Sequence, residues 1–129
     1  FYTPTPDGYC GDEDNGQTSA WYVFSAMGFY PVCPGTLQYP LGSPLLDELK
    51  INFPNGKQAL ITKQGDGCYI DNLTVNGTDY GKNYITLPML RDGGKLEFMM
   101  SEMPNTQRGI HASDRPYSFS IDEPSVAAR

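Results

Sequence analysis

Only one segment of this chain carries a clear helical period, and it is apolar on almost every side. Ala20, Val23, Phe24 and Met27 fall at i, i+3, i+4 and i+7, one helical face. Trp21 beside them widens the apolar arc until it covers most of the circumference. A helix with that pattern belongs inside a larger body. Gly28 and Pro31 mark its end. Asp12 and Asp14 precede its start, where acids suit the positive end of a helix and can cap free N–H groups. No other helix in the sequence is available to cover it. Residues 1–44 are therefore expected to be the end of a helical domain whose other helices are missing.

From residue 45 onward the chain reads as β structure. The chain holds 14 glycines and 11 prolines, which suits short strands and many turns. Leu49, Ile51 and Phe53 alternate with Lys50 and Asn52, and Asn55-Gly56 signals a two-residue hairpin into Lys57 to Lys63. A second unit runs from Tyr69 to Val75, turns at Asn76-Gly77 and resumes near Tyr84 to Leu87. Leu96, Phe98 and Met100 alternate in a last strand after Gly93-Gly94. The expected fold class is mainly β with one long helix. A small antiparallel β-sandwich is expected over 45–104, with a surface-wrapping or frayed tail over 105–129.

Composition removes several functions. A formal charge of −6 repels phosphate backbones, so nucleic acid is not an expected partner. No apolar run approaches the roughly 20 residues of a membrane span. Three cysteines, Cys10, Cys33 and Cys68, allow at most one disulfide, and with a single histidine, His111, they do not make a zinc pattern. Cys33 is expected to pack in the interior and His111 to lie on the surface. Asn72 and Asn76 open glycosylation-type triplets, but Asn76 is better explained by its turn. The chain starts at Phe1 without a leader, so either a leader was removed or the chain was cut from something longer.

The chemistry is concentrated in Gly11 to Gln17. Asp12, Glu13 and Asp14 place three carboxylates in a row between glycines. The plain reading is a solvated, helix-capping loop. A calcium loop of the EF-hand type fails on spacing, because counting from Asp12 puts Gly16 at position 5 and Val23 at position 12. The acid/base reading needs a cleft. In an extended loop Asp12 and Asp14 would point the same way, and Trp21, Tyr22, Phe29 and Tyr30 could wall the cleft. Trp21 has two readings, a core residue beside Phe24 or a platform for a sugar ring.

The run from Gly11-Asp12-Glu13-Asp14-Asn15-Gly16-Gln17 through Ala20-Trp21-Tyr22 to Pro31-Val32-Cys33-Pro34-Gly35 closely resembles the C-terminal signature of glycoside hydrolase family 92. Leu41-Gly42-Ser43-Pro44-Leu45 and Ile51-Asn52-Phe53-Pro54-Asn55-Gly56-Lys57 continue the likeness, which extends from about Phe1 to Pro104. Thr18 departs from it, where the family has Met. The resemblance implies a calcium-dependent, inverting exo-α-mannosidase acting on mannose-containing glycans outside the cytoplasm. It implies that the helix is the terminal helix of an (α/α)6-barrel catalytic domain. By the same resemblance, Asp14 is the general base and Asp12 its partner in holding the water, a nearby second carboxylate raising the base's proton affinity toward working pH. Glu13 and Trp21 stand as candidate substrate-binding residues, with Glu13 otherwise turned into capping.

The general acid and the calcium ligands would lie elsewhere in such an enzyme, as would the N-terminal β-sandwich and the remaining barrel helices that partner this segment. No metal ligand is assigned within the chain, and the isolated chain is expected to bind no calcium and to release no mannose. An orphaned apolar helix would favour self-association. The alternative is a stand-alone β-sandwich that binds carbohydrate or a protein partner.

Overall fold

A computed structural model describes residues 1–119. The expected helix is present as α1, Gln17–Met27. Seven strands come after it: β1 Gln38–Pro40, β2 Glu48–Asn52, β3 Gln58–Gln64, β4 Tyr69–Val75, β5 Thr78–Asp79, β6 Tyr84–Thr86 and β7 Lys95–Ser101. A short helix, α2 Leu87–Arg91, sits between the last two. The chain is thus mainly β with one long helix, as its sequence led us to expect. Residues 120–129 of the expected tail lie outside the described residues.

Five strands form one sheet in the order β2-β3-β7-β4-β5, and β1 pairs with β6 in a separate ladder. Pairing is antiparallel except for β3 with β7, which run parallel. The sheet is therefore mixed rather than wholly antiparallel. The strand near Tyr84 does not extend the β4 unit, because its register partner is β1.

Strand alternation builds the core. In β7, Leu96, Phe98 and Met100 point inward, while Lys95 and Met99 are exposed. They join Ala59 and Ile61 of β3 and Leu73 of β4. Ile85 of β6, Leu90 of α2 and Phe29 complete the same cluster. Phe29 carries the core across residue 44, linking the end of α1 to the sheet. Phe24, Phe29 and Tyr39 pack with ring centroids about 6 Å apart, a spacing at which aromatic pairs attract.

The two Asn-Gly turns differ. Asn76 and Gly77 both take positive φ, 53° and 77°, making the expected two-residue turn. At Asn55-Gly56 only Gly56 is left-handed. Pro54 has no N–H to donate across the turn, as the residue before a two-residue hairpin loop must, and its fixed φ suits the first turn position after Phe53. The Phe53 N–H donates to Lys57 O at 2.9 Å and closes a three-residue loop instead.

Candidate active site

The acidic loop enters α1 through an unusual backbone. Asp14, Asn15 and Gly16 take successive positive φ values of 53°, 58° and 88°. Two of these are not glycine, and such conformations cost on the order of 1 kcal/mol or more each. The run is braced by Glu13. Its carbonyl accepts from Thr18 N, and its Oε1 accepts from Ser19 N at 2.8 Å. Asp14 O accepts from Gln17 N.

These bonds correct the expected capping. Gly16 occupies the N-cap position, with no side-chain cap bond of its own, and no acid lies in the first turn. Glu13, rather than Asp12 or Asp14, satisfies a free N–H at the helix start. Asp14 begins a left-handed turn rather than sitting in an extended loop, so spacing alone does not align the two aspartates. Both are exposed.

Glu13 belongs to a short network. Tyr9 Oη and Ser19 Oγ share a hydrogen bond of 2.6 Å. The Ser19 side chain, then the Ser19 amide, hold the Glu13 carboxyl below its ordinary value, against a smaller desolvation effect, with Tyr9 lowering it further. One oxygen, Oε2, is shielded without a partner among the described residues. The carboxylate as a whole stays near water, which limits that penalty.

Beside Ser19 lies a groove of about 770 Å³, lined by Tyr2, Pro4, Tyr9, Trp21 and Tyr22 among others. Trp21 is 49% exposed, so it is not a core residue in this chain. Tyr22 and Val23 are exposed too. Phe29 is only 2% exposed and does not wall the groove, whose other aromatic side chains come from Tyr2 and Tyr9. Position in the sequence did not single these two out, because Pro4 and Pro6 made their segment read as irregular. Asp12, Glu13 and Asp14 line neither this groove nor a second pocket of about 260 Å³, lined by Cys68, Tyr69, Asn83 and Arg108 among others.

Elsewhere, Cys33 is half-buried, Cys10 and Cys68 are exposed, and all three are free thiols. His111 is exposed. Among the described residues no three His, Cys, Asp or Glu side chains converge to hold a metal ion. Nor is any described helix long and apolar enough to cross a membrane.

A mainly β body with an acidic turn leading into an aromatic-lined groove suits a segment of a carbohydrate-active enzyme. The model of the glycosyl hydrolase family 92 catalytic domain matches residues 1–102, and the chain belongs to that family. It is similar to a solved GH92 inverting mannosidase of Bacteroides thetaiotaomicron VPI-5482, with 49% identity and a TM-score of 0.81, over 92% of this chain and 17% of that one. A GH92 α-mannosidase of the same species, solved with mannoimidazole, is 41% identical with a TM-score of 0.83, over 92% and 16%. An uncharacterized secreted glycosidase of Arthroderma benhamiae is 29% identical over 124 residues, 92% of this chain and 16% of the relative. The chain spans about one sixth of the length of these relatives.

Proposed function

We propose that this chain supplies the general-base loop of an inverting exo-α-mannosidase that removes terminal mannose from glycans outside the cytoplasm. The observation that carries the reading is the acidic turn, where solvent-facing Asp12 and Asp14 flank a Glu13 that braces the left-handed run and ties it, through Ser19, to the edge of an aromatic groove, in a family 92 chain. Names of relatives add support, since one is called an inverting mannosidase and another a secreted glycosidase.

In this reading Asp14 takes a proton from water as that water attacks the anomeric carbon, and Asp12 helps orient it. Inversion requires the acid to stand opposite, about 6.5–9.5 Å from the base across the sugar. A single carboxylate cluster cannot occupy both faces, so the general acid comes from outside this chain. Any calcium ion the whole enzyme uses draws its cage from outside the described residues as well. Trp21 offers a ring face to the sugar. Glu13 serves the turn through Ser19. The remaining barrel helices would cover Trp21, Tyr22 and Val23.

The test is Asp14→Asn in the whole enzyme. Turnover should fall by about 10²-fold or more with folding intact, and activity near wild type would refute the base assignment. Proton NMR of the wild-type reaction should show β-mannose first, and α-mannose first would exclude inversion. Purified 1–129 should release no mannose from an α-1,2-linked disaccharide. Calorimetric binding of mannose or calcium by 1–129 would favour a stand-alone binding module.

A further inference from the structure

Residues 105–117, beyond the segment matched by the family model, return as a strap tied to the strand β6 region. Arg108 Nη2 donates to Lys82 O at 2.8 Å and to Tyr80 O at 3.2 Å, and Nη1 donates to Asn83 Oδ1 at 3.0 Å. Asn83 answers twice: Nδ2 donates to Gly109 O at 3.0 Å, and its backbone N–H to Asp114 O at 2.7 Å. Gly109 has φ 69°, and a Cβ there would overlap the Asn83 amide, so the strap can approach this closely only at glycine.

The other side of Asn83 faces the segment 41–45. Asn83 O accepts from Leu41 N at 2.9 Å. The next residue, Gly42, donates to Gly28 O at 2.8 Å, and Leu45 donates to Ala26 O at 3.0 Å. Pro44 is buried against Gly28, where a Cβ would stand 2.8 Å from its ring. An unbroken series of short contacts thus runs from Arg108 through Asn83 and residues 41–45 to the C-terminal end of α1.

Among the described residues, that end is the helix's foothold. No residue of α1 is buried, and its packing on the core comes from Phe24 and Met27 in the final turns. The acidic loop stands at the opposite end. Eleven residues at about 1.5 Å each make an arm of about 16 Å, so a tilt of about 5° at the foothold moves the loop by about 1.4 Å. A displacement of about 1 Å at a reacting group can cost about 10²-fold in rate.

We propose that Arg108 and Asn83 are positioning residues, which set the tilt of α1 and through it the placement of Asp12 and Asp14. The inference rests on the base assignment above. It accounts for a guanidinium committed wholly to the protein's own backbone and to Asn83, with its Nε enclosed and unpartnered among the described residues.

Two measurements test it. In the whole enzyme, Arg108→Met should lower kcat by about tenfold or more while KM stays within about twofold. Arg108→Lys should recover part of the loss, since an ammonium can reach one carbonyl but cannot span the set. In this chain, amide exchange at Leu41, Gly42 and Leu45 should accelerate in Arg108→Met while the β3–β7 ladder keeps its protection. Unchanged kcat and exchange in a folded variant would overturn the proposal, as would faster exchange spread evenly over the chain. Should Arg108→Met fail to fold, Arg108→Lys carries the same comparison against wild type. If Asp14→Asn kept its turnover while the exchange pattern held, the base assignment would fall and the foothold would stand.

Discussion

Glu13 shows how a single residue can sit in a functional motif and do mechanical work. Flanked by two aspartates of the proposed water-activating pair, it commits Oε1 to the Ser19 amide and steadies three left-handed residues. Its proton affinity is lowered in the folded state, so its contribution is present above the unfolded pKa and is lost as pH falls through the lower folded one. The Ser19 amide resonance should therefore titrate with a midpoint below that of an ordinary glutamate. Glu13→Gln should abolish that titration, and an unchanged curve would show another group responsible. Gly28 is a second such position. It ends α1 at φ 90° with Pro44 pressed against it, so Gly28→Ala meets both backbone strain and a clash. We expect a loss of at least about 1 kcal/mol, read from the urea midpoint.

Elements were legible wherever the cause is local. Alternation in Leu96, Phe98 and Met100 located β7, Gly28 closed α1, and Asn76-Gly77 made its turn. Where the cause is a distant partner, the sequence was silent. Nothing within β3 or β7 states that they lie side by side in parallel, and nothing near Tyr84 names β1 as its neighbour. Pro54 was a local signal that should have outweighed Asn55-Gly56, because it lacks the N–H that would close the tighter turn. In α2, Thr86 with Pro88 two residues on was also a readable helix start. Capping by Glu13 was readable as one alternative, but the N–H it takes was not, since that depends on a left-handed run that two non-glycine residues adopt only under restraint. Phe98 is 1% exposed in the central strand, so Phe98→Ala should cost about 3–5 kcal/mol. Met99→Ala, on the exposed face of the same strand, should stay within about 0.5 kcal/mol, and equal losses would contradict the assigned faces.

At the scale of the whole molecule, the chain has a well-formed core at one end and an uncovered helix at the other. Trp21, Tyr22 and Val23 form a contiguous exposed apolar stretch beside the groove. Such surfaces associate. Sedimentation of 1–129 should show a mass that rises with concentration, and Trp21→Ser with Val23→Ser should reduce the rise. A concentration-independent monomer would count against an orphaned face.

The place of β7 in the sheet has a consequence for how this segment is made. It comes last in chain order among the sheet's strands, yet it lies between β3 and β4. While a ribosome extends the chain, β3 has only β2 beside it and β4 only β5, each with one bare edge and nothing to join the two pairs. The keystone arrives only with Lys95–Ser101. Until then the nascent strands are open to the wrong partners, and their protection falls to chaperones or to the speed of translation.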